Sequence, residues 1–327
     1  MIKRINPFLV VFAAACVAPL VVTNPSHQNF LILVMMSAQL GVAWNILGGY
    51  AGQVSFGHAA FFGIGAYTST LLLIQFGVSP WIGMVAGGAV AMTFALLIGW
   101  PCFRLKGHYF AIATIAVAEI LQVVFTNWTA VGSAVGLSLP MEQEGLKAFV
   151  FNASKLPYYY IALGLLIGTI LAARTIERSF LGHYFRAIKD EPEAARSVGI
   201  NLTRYKLVAI SVSSFLTAAG GTLYAQKELF IDPASVMATS LSVKIALASI
   251  LGGVGSLFGP VIGAGILTSI EEVTRQIFGG SGRGTDLILY GLIILVVAVY
   301  YPNGVVGGIK AWGERLAGRE PGSGSGR

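Results

Sequence analysis

Apolar stretches of about 18 residues recur along the whole chain, and short polar stretches separate them. A helix of that length crosses the roughly 30 Å hydrocarbon core of a bilayer. The eighth stretch is short, which is typical of a broken or re-entrant helix whose free backbone groups need protein or water around them. The pattern predicts an all-α polytopic membrane protein with about ten transmembrane or re-entrant helices (eight to ten), at 7–22, 30–47, 54–76, 81–100, 109–127, 157–173, 207–226, 241–252, 259–277 and 287–301.

The composition agrees with a membrane protein. Hydrophobic residues make up 55% of the 327 residues and charged residues only 11%, whereas soluble domains carry about 25% charged residues. The 41 glycines fit as well, because small residues let membrane helices pack closely. The two cysteines, Cys16 and Cys102, form neither a disulfide framework nor a metal-ligand spacing. We therefore expect no bound metal.

Residues 174–206 break the apolar pattern, with seven basic and four acidic residues. The sequence predicts two short helices there, the first over 181–189. Asp190 is predicted to cap the second helix, Glu193 to complete a capping box, and Gly199 to end it. Charge opposite a small apolar face suits docking into a groove on a partner, although a solvated loop is the simpler alternative.

The basic residues predict the orientation. With the N-terminus in the cytoplasm, 15 of the 21 basic residues lie on the cytoplasmic side, as they do in most membrane proteins. Both termini and residues 174–206 are then cytoplasmic. Residues 1–25 are predicted to be a retained first helix rather than a cleaved signal peptide, because their removal would invert this arrangement. The net charge of +7 is explained in this way without nucleic-acid binding.

Four polar residues lie within or beside the apolar stretches: Gln53, Ser55, His58 and Glu119. Such groups are costly in lipid, so they should face protein or a cavity. They either line a translocation path or hold the helices together through hydrogen bonds. For Glu119 the first interpretation means a proton or substrate site, and the second means a buried acid bonded to Gln122, to Asn127 or to another helix.

A weak internal repeat is visible. The sequence Ile-Leu-Gly-Gly occurs at 46–49 before Phe-Gly at 56–57, and again at 250–253 before Phe-Gly at 258–259. Many transporters are built from internal repeats. Glycine-rich sequences also match by chance, so both explanations stand.

Several motifs occur together in one order: GYAGQ at 49–53 leading to His58 and Tyr67, RLKGHYFAIAT at 104–114, RAIKD at 186–190, AGGTLYA at 219–225, LGGVGS at 251–256 and YPNG at 301–304. In this combination the chain closely resembles the LivM-type permease subunits of bacterial ATP-binding-cassette (ABC) importers for branched-chain amino acids. The matches extend over nearly the whole length.

The resemblance implies an importer permease fold in one transmembrane domain over 1–320, a cytoplasmic coupling segment at 174–206 and a flexible tail at 321–327. Its expected partners are a homologous LivH-type permease, two cytoplasmic ATPase subunits, a periplasmic binding protein and an amino-acid substrate, in the bacterial inner membrane. The chain itself would be no enzyme and hold no cofactor, since ATP and Mg bind the ATPases. The residues expected to contact the ATPase are Arg186, Asp190, Glu191, Glu193, Arg196 and Gly199.

Other functions compete with this one. The same architecture could carry urea, amides or other amino acids. An ion-coupled secondary transporter would use an intramembrane carboxylate such as Glu119 and no ATPase. A membrane enzyme would need clustered histidines or carboxylates, whereas His27, His58, His108 and His183 are scattered along the chain.

Overall fold

The computed structural model describes residues 16, 18–19, 24–105, 107–140, 145, 149–151, 154–278 and 291–292. Helices dominate this part of the chain, and a two-residue antiparallel pair joins strand β1 (Leu137–Ser138) to β2 (Phe230–Ile231). The helices are α1 Pro25–Asn45, α2 His58–Phe76, α3 Pro80–Cys102, α4 His108–Asn127, α5 Leu156–Arg178, α6 Phe180–Asp190, α7 Pro192–Ser197, α8 Leu202–Glu228, α9 Pro233–Val236, α10 Thr239–Gly252 and α11 Gly259–Phe278.

Within the described ranges, seven helical spans are long and apolar enough to cross a membrane, judged by length and composition: Pro25–Tyr50, His58–Phe76, Pro80–Cys102, His108–Asn127, Leu156–Arg178, Leu202–Glu228 and Pro233–Gly252. The predicted stretch at 259–277 forms helix α11. The second half of this helix contains three charged residues, Glu271, Glu272 and Arg275. The predicted first and tenth stretches, and the tail at 321–327, lie wholly or mostly outside the described residues. The count of about ten helices is therefore not confirmed.

The centre of the bundle consists of α2, α3 and α8, which pack closely because glycines face backbone. A Cβ atom on Gly65 of α2 would lie 2.1 Å from the Ala218 carbonyl oxygen of α8. A Cβ atom on Gly221 of α8 would lie 2.0 Å from the Phe62 carbonyl oxygen of α2. No side chain larger than hydrogen fits at either position without separating the helices. α1 packs on α8 at the edge of this centre and also contacts α5, α10 and α11.

Two of the spans are interrupted. α1 continues into a π-helical turn, Ile46–Tyr50, after which the chain runs without helix to His58. Residues 237–238 separate α9 from α10, as the short eighth stretch predicted. The first interruption is stabilised by protein hydrogen bonds, as the bilayer interior requires: Trp44 Nε1 donates to the Ser55 carbonyl (2.7 Å), the Phe56 amide to Thr114 Oγ1 (3.1 Å) and the Ala59 amide to Ser242 Oγ (2.8 Å).

The charged segment folds into the two predicted short helices, α6 and α7. Gly199 ends the second with φ +88°, as predicted. The predicted cap at Asp190 is wrong: Asp190 is the last residue of α6, and Glu191 occupies the N-cap of α7 without a side-chain capping bond. Pro192 explains the shift, because proline drives the preceding residue out of the helical region, and Glu191 has φ −147° and ψ 89°.

The close approach of α2 and α8 predicts the effect of one added methyl group. Gly221→Ala should lower the melting temperature of the detergent-purified protein, because overpacking costs about 1–3 kcal/mol. Gly168→Ala in α5 is the control, since a Cβ there meets nothing within 4 Å and alanine favours helix. Thermal unfolding followed by size-exclusion chromatography measures both. Equal melting temperatures for the two variants would contradict the close packing.

Candidate coupling and translocation sites

Helix α6 is amphipathic, and its apolar side fixes it to one end of the bundle. Phe185 and Ile188 are fully buried, whereas Arg186 and Asp190 are exposed. α6 follows α5 directly and also packs on α8 and the π-turn after α1. We call this end of the bundle the charged end and the opposite one the far end.

Two glycine-rich turns meet at the charged end. The first, Gly48–Gly52, follows α1, and the second, Gly252–Ser256, joins α10 to α11; we call them the glycine turns. The side-chain amide of Asn45 joins them, since Nδ2 donates to the Ser256 carbonyl (2.9 Å) and Oδ1 accepts from the Gly255 amide (2.9 Å). A Cβ atom on Gly49 would lie 2.7 Å from the Gly255 nitrogen. The first half of the sequence repeat, 46–49, therefore lies beside Gly255, which follows the second half at 250–253.

Lys189 of α6 joins the charged segment to both glycine turns. Its Nζ donates to the Gly49 carbonyl oxygen at 2.9 Å. A Cβ atom on Gly52 would lie 2.9 Å from Lys189 Cγ, and one on Gly255 would lie 3.2 Å from Nζ. The absence of side chains at these glycines is thus what admits the lysine.

The sequence reasoning missed Lys189. A local signal existed, because Lys189 follows Phe185 by four residues and so shares its side of the helix. Its partner glycines are 140 residues away in the first turn and beyond α8 in the second. No local pattern reveals a contact between such distant segments.

The six residues predicted to contact the ATPase lie on the exposed surface of the charged segment. Arg186 pairs with Glu177 (3.2 Å), and Arg196 pairs with Glu193 (3.3 Å). Asp190, Glu191 and Gly199 are also exposed. Two apolar side chains lie among them: Val198, which belongs to the predicted small apolar face and is 78% exposed, and Phe180, which was not predicted and is 83% exposed. Exposed apolar groups ringed by charge are typical of a protein-binding surface.

Three of the predicted pathway residues bond within the bundle. Gln53 Nε2 donates to the Ala51 carbonyl (3.2 Å), and the buried Ser55 Oγ accepts from the Gly57 amide (3.2 Å). His58 is fully buried, with Nε2 2.8 Å from Ser213 Oγ on α8. The Ser213 hydroxyl donates to the Ala43 carbonyl (2.7 Å), so its one hydrogen is engaged and His58 Nε2 is the donor. His58 thus joins α2 to α8, and a pathway role for the three stays a prediction.

Glu119 lies apart from these three, on α4. Its carboxylate accepts a hydrogen bond from the Thr239 hydroxyl at the start of α10, a partner on another helix. Only 17% of the most apolar 18-residue window of α4 is buried, the lowest share among the seven spans. α4 also exposes Ile112, Ile120 and Val123 near Glu119. An exposed carboxylate halfway along an apolar helix is costly in lipid, so this face requires a protein or aqueous neighbour.

A cavity of about 490 Å³ lies between α1, α10 and α11, and Phe62 of α2 and Tyr224 of α8 contribute to its wall. None of the predicted site residues lines it. Its charged side chains form two ion pairs, Lys244–Glu271 (2.5 Å) and Arg275–Glu272 (2.6 Å). The sequence shows each charge but not the cavity, because the wall is assembled from six helices, α1, α2, α8, α9, α10 and α11.

The Asn45 contact makes a local prediction. Asn45→Ala removes both hydrogen bonds from the end of α1 to the second glycine turn, each worth about 1 kcal/mol with a further penalty for the buried group left unpaired. Amide hydrogen exchange in a peptide covering 250–258, measured by mass spectrometry, should become faster. Asn127→Ala is the matched control, because that side chain bonds only to Val123 of its own helix among the described residues. Unchanged exchange in the Asn45 variant would show that the amide does not hold the turns.

The family model described as "Branched-chain amino acid transport system / permease component" matches residues 26–297. The chain is 28% identical to the high-affinity branched-chain amino acid transport system permease protein LivM of Escherichia coli (strain K12), over 91% of this chain and 74% of that protein. It is 25% identical to LivH of the same organism, over 85% of this chain and 94% of the relative.

A further relative is named for a different cargo. The autoinducer 2 import system permease protein LsrC of Enterobacter sp. (strain 638) is 27% identical, over 91% of this chain and 86% of its own length. The family match covers far more than half of this chain, and the apolar spans agree with it. The chain therefore belongs to the family of permease components of branched-chain amino acid transport systems, and it is a multi-pass membrane protein.

Proposed function

We propose that the chain is one membrane subunit of an ABC importer in the bacterial inner membrane and forms half of a pathway for leucine, isoleucine and valine. A periplasmic binding protein delivers the cargo, and two cytoplasmic ATPases drive the transport. The observation that carries this proposal is the charged segment: it folds into α6 and α7, exposes a mixed charged and apolar surface, and contacts the glycine turns through Lys189. The partner subunits hydrolyse ATP, so this chain contributes by binding those subunits and by changing its conformation.

The exposed surface of α6 and α7 fits a groove on an ATPase. Phe180 and Val198 supply apolar contacts, and the ion pairs of Arg186 and Arg196 supply charge at the rim. Surface pairs of this kind add about 0–1 kcal/mol to stability. Their charges are therefore available for partner recognition at little cost to the fold. In this proposal the charged end faces the cytoplasm.

Lys189 transmits the movement of the ATPase into the bundle. A displacement of α6 pulls on the Gly49 carbonyl, and the first glycine turn contacts the second through Asn45 and Gly255. The first turn ends α1, and the second joins α10 to α11. One movement of α6 is therefore passed to three helices, a small shift of packed elements of the kind that switches transporters between two states.

The exposed face of α4 contacts the second permease subunit. This face contains Glu119 among isoleucine and valine side chains, which a homologous membrane subunit covers better than lipid does. Similarity to both LivM and LivH supports a pair of related subunits. Glu119 then stands at the boundary between the halves, where it can line the path.

Import of another small solute on the same architecture is the second candidate, favoured by the similarity to LsrC. An ion-coupled mechanism is a more distant one. ATP-dependent uptake of labelled leucine by proteoliposomes that contain all the subunits separates the three. Leucine uptake that requires ATP supports the proposal, whereas uptake driven by an ion gradient alone contradicts it.

Charge reversal tests the docking surface. The double variant Arg186→Glu and Arg196→Glu should lose most of the ATPase that co-purifies with the permease, because both basic groups would become acidic on the docking surface. Lys155→Glu is the control, since Lys155 is an exposed basic residue at the far end, before α5. Full retention of the ATPase by the double variant would exclude these arginines from docking.

Removing the Lys189 ammonium tests transmission. Lys189→Met keeps an unbranched stem against Gly52 but cannot donate to Gly49. We expect normal ATPase binding and leucine uptake reduced by about tenfold or more, since a charged hydrogen bond contributes about 1.5–3 kcal/mol and 1.4 kcal/mol is tenfold. Arg204→Met removes a charge from the same segment without touching the turns. Equal uptake by both variants would show that Lys189 transmits nothing.

A further inference from the structure

The cavity between α1, α10 and α11 lies toward the far end of the bundle. α1 ends, and α11 begins, at the glycine turns of the charged end. At 1.5 Å per helical residue, Met36 lies about 20 Å along α1 from Gly49, and Glu271 about 18 Å along α11 from Gly259. Three of the helices that bound the cavity, α1, α10 and α11, are also the ones that the glycine turns connect.

Most of the cavity wall is apolar. Met36 and Leu40 of α1, Phe62 of α2, Ile245 of α10 and Leu267 of α11 contribute to it. The volume of about 490 Å³ lies within the usual range of small-molecule sites, roughly 300–1,000 Å³. The wall is suited to a branched aliphatic group.

One ion pair crosses this wall. Lys244 of α10 and Glu271 of α11 lie 2.5 Å apart, and their side chains are 37% and 38% exposed. Both line the cavity. The pair is therefore accessible from the cavity and is not sealed between the helices. An ammonium group has three donors and a carboxylate about four acceptor positions, so a ligand that binds both charges does not have to break the pair.

We propose that this cavity is a binding subsite for a zwitterionic α-amino acid with a branched aliphatic side chain. The cargo carboxylate binds the Lys244 ammonium, the cargo ammonium binds the Glu271 carboxylate, and the side chain packs on the apolar wall. This inference rests on the proposed import function and adds to it a place where the permease itself recognises its cargo.

Charge balance explains the selectivity of such a subsite. The Lys244–Glu271 pair is neutral and so is the zwitterion, so binding adds no net charge to an apolar region. A ligand with only an ammonium group or only a carboxylate would add one net charge, and burying an uncompensated charge is costly. A neutral amide or urea adds no charge but offers neither ionic group, and hydrogen bonds that involve charge are about twice as strong as neutral ones.

Thiol protection tests the subsite directly. Ser37 of α1 lines the cavity, so Ser37→Cys, in an assembled importer with Cys16→Ser and Cys102→Ser, places one reactive thiol of this chain there. Leucine at millimolar concentration should slow maleimide alkylation of that thiol several-fold. Isopentylamine, 4-methylpentanoate and urea, which each lack part of the zwitterion, should not.

Two further variants assign the charges. Lys244→Met and Glu271→Gln should each abolish protection by leucine. Lys227→Met should retain it, because Lys227 also forms an ion pair, with Glu228, but does not line the cavity. The inference is overturned if leucine gives no protection, if all four compounds protect equally, or if the Lys244 and Glu271 variants are protected like wild type.

The outcomes separate this inference from the function on which it rests. ATP-dependent leucine uptake without thiol protection would leave the importer standing and exclude the subsite. Protection without uptake would support the subsite and contradict the importer. Protection and uptake that are lost together in Lys244→Met, with the ATPase still bound, would support both.

Discussion

The hydrogen bond from Lys189 Nζ to the Gly49 carbonyl ties the charged segment to the glycine turns, in addition to the apolar packing of Phe185 and Ile188 on the bundle. The contact needs glycine on three sides, because a Cβ on Gly49, Gly52 or Gly255 would meet its neighbours at 3.2 Å or less. It also needs Asn45, whose amide fixes the distance between the turns. A polar backbone carbonyl, a lysine and an asparagine are thus concentrated at one end of an otherwise apolar bundle.

The glycines of the bundle act in two different ways. In the centre, Gly65 and Gly221 place α2 and α8 in backbone contact and leave no free volume between them. At the charged end, the glycine turns instead connect α1, α10 and α11, which surround the cavity. Close packing holds the second group together as well, since a Cβ on Gly263 of α11 would lie 1.9 Å from the Ala248 carbonyl oxygen of α10. We assign the movement that Lys189 transmits to α1, α10 and α11, because these are the helices that the glycine turns connect.

Local sequence patterns predicted much of the fold. Eight of the apolar stretches predicted from their length are helical in the described ranges. The two short helices of the charged segment, and the end of the second helix at Gly199, followed from helix periodicity and the conformational freedom of glycine. The error at Asp190 was also local, since Pro192 outweighs a favourable capping residue. Lys189 and the cavity were missed for a different reason. Both depend on contacts between residues far apart in the chain, and a charge on a helix does not reveal what it faces.

The central claim is that α6 and the first glycine turn move as one body when the ATPases bind ATP. Spin labels at His183→Cys on α6 and Val54→Cys beside the first turn, both exposed positions, report it by pulsed electron resonance on the assembled importer, again with Cys16→Ser and Cys102→Ser. The account predicts the same distance between the labels without nucleotide and with ATP, and a nucleotide-dependent distance once Lys189 is replaced by Met. A distance that already changes with ATP when Lys189 is intact would contradict it.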